Sequence, residues 1–358
     1  MNRIRYYLLS PLAVIYGFIG GWRRAWFNRK ENRRYHPTLP TICIGNLAVG
    51  GTGKTPHTEF LLRALNDKKM AVLSRGYGRK TKGFACSTMT GMQVTAETFG
   101  DEPAQIHHKF SDIPIAVSES RAKGIQRLQA ELENLELILL DDAYQHLPVQ
   151  CGCNILLTEY ARPYWTDLPL PAGNLREFPC AAKEADIIVV SKCPPDLSEK
   201  EASEMCRLSK KLPRQQCFFS TFIYDSPIAA NQTAKKALSA PSPSDPVWLL
   251  TGIAHANPLY LHLKNSFKEV THIEFPDHHC YKSVEIQLLC RKMANSEHPP
   301  VLFTTEKDWE RLKWADEQGE LDAIAVYIIP IRVKFLFGQE IEFVEKIRSC
   351  CLWQQDLI

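Results

Sequence analysis

The feature that most constrains the fold of this chain is the glycine-rich segment NLAVGGTGKTP at residues 46–56. A short apolar run, TICIG at 41–45, precedes it, and a helix-like pattern of apolar residues follows at Phe60, Leu61, Leu62 and Leu65. Strand, glycine loop and helix in this order are the context that a P-loop, a phosphate-binding loop, requires. The segment therefore predicts an α/β fold with a phosphate site at one edge of a parallel sheet.

The residue types in this loop fit the binding of a nucleotide. Gly50, Gly51 and Gly53 let backbone N–H groups turn inward around phosphate oxygens with no Cβ in the way. Lys54 would reach the β- and γ-phosphates, and the hydroxyl of Thr55 would bind Mg²⁺. The predicted nucleotide-binding residues are Ala48, Val49, Gly50, Gly51, Thr52, Gly53, Lys54 and Thr55. Ala48 departs from the consensus, which has glycine at that position.

A second apolar strand, LELILL at 135–140, ends in Asp141 and Asp142. Carboxylates at the carboxyl end of a parallel strand lie where ligands of such sheets bind. An acidic turn after a core strand is the alternative, but beside a P-loop we interpret the pair as an acidic magnesium site. The predicted metal ligands are Thr55, Asp141 and Asp142.

Three further segments offer polar groups for the same edge. SRGYGR at 74–79 follows the apolar run MAVLS and carries Arg75 and Arg79, whose guanidinium groups suit phosphate oxygens. A solvated loop is the alternative for Arg79. Asp101, in GDEP at 100–103, is either a helix cap or the carboxylate that accepts the proton of an attacking hydroxyl. FPDHH at 275–279 brings a carboxylate and two imidazoles into one turn.

The N-terminal segment combines an uncharged stretch with basic flanks. Residues 6–22, YYLLSPLAVIYGFIGGW, carry no charge, whereas residues 1–34 contain eight basic side chains and one acidic one. A cleaved signal peptide is disfavoured because no small-residue cleavage site follows. A buried core helix is a second alternative. We favour attachment to a membrane, either across it or in its interface, with the arginines facing anionic headgroups on the cytoplasmic side. Glycines and a proline within the stretch are tolerated in lipid.

The composition limits the number of domains, the kinds of partner and the state of the cysteines. The 358 residues, 45% of them apolar, suit one large or two medium α/β units. The formal net charge of +3 gives no indication of a nucleic-acid partner. Twelve scattered cysteines without a CxxC pair are typical of reduced thiols in a cytoplasmic protein.

Eight motifs in order carry a resemblance to a known family. They are GNLAVGGTGKTP, SRGYGR, GDEP, DDAYQH, LPAGNLRE, TGIAHANP, FPDHH and TTEKD, spread from Gly45 to Asp308. This series resembles the tetraacyldisaccharide 4′-kinases, the lipid A 4′-kinases of Gram-negative bacteria. The resemblance implies phosphorylation of the 4′-hydroxyl of tetraacyldisaccharide 1-phosphate, dependent on ATP and Mg²⁺, to give lipid IVA at the cytoplasmic face of the inner membrane. It implies no obligate protein partner.

The resemblance also assigns roles to residues. Asp101 would be the catalytic base, assisted by His278, which we favour over His279, while Lys54 acts on the phosphates. The arginines expected to bind the substrate are Arg75, Arg79, Arg121 and Arg176. The family's usual LREP is Leu175-Arg176-Glu177-Phe178 here, which leaves open whether the turn after Glu177 differs.

The expected architecture has three parts. Residues 1–34 form a membrane-associated helix and its basic flank, 35–228 a P-loop α/β/α kinase core, and 229–358 a smaller α/β domain whose last helix is able to return to the core. The stretch 228–246, rich in Ala, Ser and Pro, would be the junction. A P-loop switch or assembly ATPase acting on a protein partner at the membrane is the alternative function.

Overall fold

The computed structural model describes residues 3–29, 34–89, 91–237, 240–277, 279–316 and 318–355. The strands are β1 (Thr41–Asn46), β2 (Met70–Ser74), β3 (Ala85–Cys86), β4 (Ile115–Val117), β5 (Leu137–Asp141), β6 (Cys153–Glu159), β7 (Ile187–Ser191), β8 (Gln216–Tyr224), β9 (Ile228–Ala229), β10 (Val247–Thr251), β11 (Val270–Glu274), β12 (Val301–Thr304), β13 (Val326–Ile328) and β14 (Ile331–Phe335). The α-helices are α1 (Arg3–Asn28), α2 (Lys54–Ala64), α3 (Asp101–Lys109), α4 (Arg121–Glu131), α5 (Glu199–Ser209), α6 (Gln232–Lys236), α7 (Asn257–Ser266), α8 (Ser283–Ala294), α9 (Glu306–Ala315) and α10 (Glu340–Gln355).

The larger sheet places the glycine loop beside the acidic strand end. Its strand order is β14-β8-β7-β6-β1-β5-β2-β4-β3, parallel except for the two outermost pairings. β1 lies between β5 and β6, and Ile44 pairs in register with Asp141. Because parallel strands end at the same edge, the loop after β1 and the carboxylate that ends β5 are neighbours.

Both faces of this sheet are covered, which explains why its strands are nearly continuous apolar runs. Side chains of α2, α3 and α10, among them Phe60, Ile106 and Phe343, pack on one face. α4 and the 3₁₀ segment Pro179–Glu184 pack on the other. The result is the α/β/α sandwich that the sequence predicts.

A second, smaller sheet has the order β11-β10-β12-β13-β9 and is parallel except at β9. α8 and α9 pack on one of its faces, and α6 and α7 pack on the other. The chain enters this unit after β8 and returns to the larger sheet through β14. The segment 228–246, expected as a junction, contributes β9 and α6 to the smaller unit.

Helix α1 lies against the larger unit through a face of small residues. Ala13 is 1% exposed, and a Cβ on Gly17 would come within 2.5 Å of the Phe178 ring. Phe178 itself has φ −63° and ψ 152°, angles that proline also adopts, so this backbone is compatible with the family's proline, and the phenylalanine supplies a ring that packs on Phe18 of α1.

The opposite side of α1 exposes a stripe of apolar side chains. They recur at intervals of three and four residues: Leu8, Leu12, Ile15, Ile19 and Trp22. None of the helices within the described residues is long and apolar enough to cross a membrane. The N-terminal helix that the sequence predicts is present as α1.

Candidate active site

The glycine loop has a backbone that requires glycine at particular points. Gly50 and Gly53 have φ of +109° and +87°, in the region that side-chain-bearing residues rarely adopt. A Cβ on Gly53 would also lie 2.4 Å from the ring of Phe222. Gly51 has open space around it. Ala48 forms a bridge with Leu175, an extended pairing that alanine adopts without strain, so the departure from the consensus is accommodated.

A neighbouring loop holds the glycine loop in place. The carbonyl of Asn174 accepts a hydrogen bond from the N–H of Val49 at 2.8 Å, and the N–H of Arg176 donates to the carbonyl of Leu47 at 2.7 Å. These residues belong to the LPAGNLRE motif. The motif matched the family, but only the structure shows that part of it supports the loop backbone.

Asp141 ends β5 in full burial, and burial raises the pKa of its carboxyl to about 7, with the negative charges of Glu102 and Asp142 adding to the rise. Thr58 donates to one carboxylate oxygen at 3.1 Å, and the other has no hydrogen-bond partner. Lys54 lies close enough to oppose this rise, so a buried acid with an unsatisfied oxygen faces the loop lysine.

Asp142, the next residue, lies at the rim of the same site. Its φ is +46°, and its Oδ1 is 3.8 Å from the Nζ of Lys54 and 3.7 Å from a guanidinium nitrogen of Arg176. That Oδ1 is buried without a hydrogen bond.

This donor set fits a hard divalent cation such as Mg²⁺. Two carboxylates with unsatisfied oxygens, next to a threonine at the start of the loop helix, provide the hard oxygen ligands that Mg²⁺ prefers. Across the described residues, no three His, Cys, Asp or Glu side chains cluster tightly enough to hold a metal alone. Mg²⁺ in phosphate-transfer sites takes one or two protein ligands and completes its shell with phosphate and water, so the two observations agree.

Asp101 is the first residue of α3, and both of its carboxylate oxygens are engaged. Oδ1 accepts a hydrogen bond from the N–H of Glu102 at 3.0 Å. Oδ2 is bound by the guanidinium of Arg311 and lies 3.7 Å from the Nζ of Lys307. Arg311 lies outside the eight motifs, so no sequence signal identifies it.

The start of α3 and the start of α2 lie at the same edge of the sheet. Both helices precede strands that run parallel in the larger sheet, and they pack side by side. Gln105, one turn into α3, donates to Glu59, which lies just over one turn into α2, at 2.9 Å. Asp101 and Lys54, which begin these two helices, are therefore on one side of the molecule, and Glu102 is near enough to influence Asp141.

The four predicted substrate arginines have different surroundings. Arg75 is exposed at the edge. Arg79 is bound by Glu119 and the carbonyl of Gly83. Arg121 is buried, with its guanidinium donating to the carbonyls of Ser118, Asp141 and Asp142. Arg176 donates to Gln145 at 3.2 Å near Asp142. Arg75 and Arg176 are the two that face the open edge.

Of the histidine pair, His278 lies outside the described residues. His279 stacks on Phe275 with ring centroids 4.4 Å apart, and its Nε2 is 3.0 Å from a carboxylate oxygen of Glu285. The described geometry therefore engages His279 within the smaller unit, and the preference for His278 stays a prediction.

A cavity of about 190 Å³ adjoins the glycine loop, and Asp101 is not among the residues that line it. The loop residues from Ala48 to Thr52 line it, together with Glu159 and Arg162 of the larger unit and His255 of the smaller one. Both units thus contribute walls to the space next to the loop.

The glycine loop between a buried strand and its helix, with a buried acidic strand end beside the loop lysine, defines a P-loop nucleotide-binding protein. The sequence profile of the family described as tetraacyldisaccharide-1-P 4′-kinase matches residues 5–351. The chain belongs to this family.

Individual relatives agree with the profile. The tetraacyldisaccharide 4′-kinase of Flavobacterium johnsoniae is 41% identical over 342 residues, which cover 95% of this chain and 95% of that protein. The enzyme of the same name from Bacteroides fragilis is 39% identical over 347 residues, 95% of this chain and 91% of its own. Among solved structures, LpxK from Aquifex aeolicus in complex with ATP matches with a TM-score of 0.72 and 25% identity, covering 97% of this chain and 99% of that one. The predicted kinase class is confirmed, and the switch-ATPase alternative is not favoured.

Proposed function

We propose that this kinase transfers the γ-phosphoryl group of ATP to the 4′-hydroxyl of tetraacyldisaccharide 1-phosphate, giving lipid IVA and ADP. The observation that carries the proposal is the gathering of Lys54, Asp141, Asp142 and Asp101 at one edge of the sheet. The named relatives and the ATP complex of LpxK support the choice of nucleotide and acceptor.

The loop side chains would hold the triphosphate. Loop N–H groups and the ammonium group of Lys54 would offset the phosphate charge, and the N-terminus of α2 would add a partial positive charge. Thr55, Asp141 and Asp142 would hold Mg²⁺, which when bound supplies charge neutralisation on the phosphate oxygens.

Asp101 would accept the proton of the 4′-hydroxyl as that oxygen attacks the γ-phosphorus and the bond to the β-phosphate oxygen breaks. Its position at the first turn of α3 keeps the carboxylate at the edge where the phosphates bind. His278 would support this base. Arg75 and Arg176 are the arginines best exposed to meet the acceptor's own phosphate.

The acceptor carries acyl chains, and α1 offers a surface for the membrane that contains them. Its apolar stripe is exposed, whereas its other face docks on the unit that carries the site. Arg23, at the end of the stripe, donates to the carbonyl of Gln145, which itself contacts Arg176. We propose that α1 lies in the cytoplasmic interface of the inner membrane with the site next to it.

Labelled ATP and the lipid A disaccharide 1-phosphate test the proposal directly. After incubation with Mg²⁺, thin-layer separation should show the label on the lipid, and ATP consumption should fall sharply when the lipid is left out. Asp101→Asn should lower turnover by about 10²–10⁴-fold with ATP binding retained in calorimetry. The matched control is Asp112→Asn, an exposed aspartate beyond the other end of α3, which should behave as wild type. Label released only as free phosphate would contradict the acceptor, and normal turnover in Asp101→Asn would remove that residue as the base.

A further inference from the structure

Two rows of ion pairs join α3 of the larger unit to α9 of the smaller one. Lys307 and Arg311, one turn apart on α9, face the first turn of α3, where Lys307 lies 3.2 Å from Glu102 and Arg311 binds Asp101. The second row, formed by Glu306 and Glu310 on α9, meets the last turn of α3. Only the first row touches the residue expected to act as base.

Arg311 is held by a buried framework of its own unit. Its Nη1 donates to the carbonyl of Gly252 at 3.1 Å and lies 3.5 Å from Asp308. Asp308 is fully buried and accepts hydrogen bonds from Tyr281 at 3.1 Å and from Thr305 at 2.7 Å. The guanidinium is therefore oriented before it meets Asp101.

The framework around Arg311 explains two sequence motifs that do not contribute to the nucleotide site. Thr305 and Asp308 belong to TTEKD, and their mutual hydrogen bonds cap α9. Gly252 belongs to TGIAHANP, and a Cβ there would lie 2.9 Å from the hydroxyl of Tyr281 and 3.1 Å from the carboxylate of Asp308. The glycine leaves room for the groups that orient Arg311.

The contact fixes the orientation of Asp101. Its side chain is 13% exposed and that of Arg311 is 10% exposed, so solvent screens the pair little. Because Oδ1 is bound to the N–H of Glu102 and Oδ2 to Arg311, one partner on each oxygen restrains rotation of the carboxylate.

We propose that Arg311 is a positioning residue for phosphoryl transfer, which orients the Asp101 carboxylate and makes that orientation depend on how the smaller unit is seated on α3. The proposal rests on the proposed role of Asp101 as base. If the ion pairs only joined the two units, weakening either row would lower turnover equally. If Arg311 positions Asp101, only loss of the first row lowers turnover.

The test compares initial rates of phosphate transfer to the lipid in the full-length chain for Arg311→Gln, Arg311→Lys, Glu310→Gln and Asp101→Asn. Misplacing a reacting group by about 1 Å costs on the order of a hundredfold, so Arg311→Gln should lower kcat by about 10- to 100-fold, with KM for ATP within about twofold of wild type. Arg311→Lys keeps the charge but not the planar fork, and its kcat should lie between that of Arg311→Gln and that of wild type. Glu310→Gln weakens the second row and should leave kcat near wild type.

A combination variant separates this proposal from the one on which it rests. If Arg311 acts through Asp101, adding Arg311→Gln to Asp101→Asn should slow the reaction no further. Equal losses in Arg311→Gln and Glu310→Gln, or full additivity in the combination, would overturn the positioning role. Normal turnover in Asp101→Asn would overturn the base itself. If circular dichroism shows that Arg311→Gln does not fold, Arg311→Lys provides the test. A lower kcat of Arg311→Lys with unchanged KM for ATP supports the proposal, and an unchanged kcat refutes it.

Discussion

Removal of the Arg24 guanidinium should detach α1 from the kinase core. Arg24 and Glu177 meet through two hydrogen bonds of 2.7 and 3.0 Å, and each side chain is 8% exposed. The same guanidinium binds Glu184 and lies over the ring of Tyr144. Burial by itself would lower the pKa of Arg24, but the hydrogen bond and charge of Glu177, together with the charge of Glu184, raise it above its usual value, so this guanidinium stays charged in the folded protein.

The size of the stability loss follows from the burial of both Arg24 and Glu177. Deleting one member of a buried pair leaves the other charged and unpaired, which costs about 3–5 kcal/mol. Since domains are stable by only about 5–15 kcal/mol, Arg24→Met should be a severe change. The loss is expected where α1 docks, because few polar contacts remain there: Asn28 donates to Glu184 at 2.9 Å, and Arg23 donates to the carbonyl of Gln145 at 3.2 Å.

Urea unfolding followed by circular dichroism, together with limited proteolysis of the N-terminal segment, measures the effect. The matched control is Arg23→Met, because Arg23 is exposed and makes one hydrogen bond of 3.2 Å to a backbone carbonyl; its stability should stay within about 0.5 kcal/mol of wild type. Adding Glu177→Met to Arg24→Met should restore part of the loss, since no unpaired charge is then left at that pair. Arg24→Met and Arg23→Met with the same midpoint and the same proteolysis rate would refute the reasoning.

Three other predictions address the loop, the pH dependence and the membrane surface. Gly53→Ala should destabilise the fold by about 1–3 kcal/mol in urea unfolding, because it combines a left-handed backbone with a clash against Phe222, whereas Gly51→Ala, in open space, should leave stability unchanged. Burial, and then nearby arginines, lower the pKa of His146 to about 4. A histidine with a lowered pKa contributes stability that is present above pH 6.5 and lost as the pH falls towards 4. His146→Gln should therefore reduce the fall in the free energy of unfolding over that window by about 1–2 kcal/mol, allowing for the partial exposure of the ring. A His146→Gln stability curve parallel to that of wild type would contradict this. Ile15→Glu should abolish co-flotation with vesicles that contain anionic lipid while turnover on detergent-dispersed substrate persists, and unchanged flotation would exclude the stripe as the contact surface.

Features that depend on residues close together in the chain could be predicted from the sequence. The glycine loop needs only a strand, a turn and a helix, and β1 with its loop and α2 lies where the pattern predicts. The apolar run at 135–140 likewise predicts the strand that leads to the acidic pair, and the structure includes Asp141 in that strand, β5. Motif order identified the family because eight short segments occur in one series.

The docked face of α1 could not be predicted from the sequence. From the sequence, the glycines of this segment are residues that lipid tolerates. In the structure the buried face combines the small residues Ala13 and Gly17 with the ion-paired Arg24, and Gly17 leaves room for the ring of Phe178. A docked face made of small residues becomes visible only once the partner surface is known.

Sequence alone determined the chemistry available to this protein: a phosphate loop, an acidic strand end and an apolar N-terminal helix, each encoded within about 20 consecutive residues. Tertiary structure decided which of those groups meet. Asp101 and Arg311 are 210 positions apart, and their contact depends on how α9 of one sheet packs against α3 of the other. The burial that raises the pKa of Asp141 likewise comes from neighbouring strands and helices, because desolvation is a property of the surrounding packing and not of the residues next in the chain.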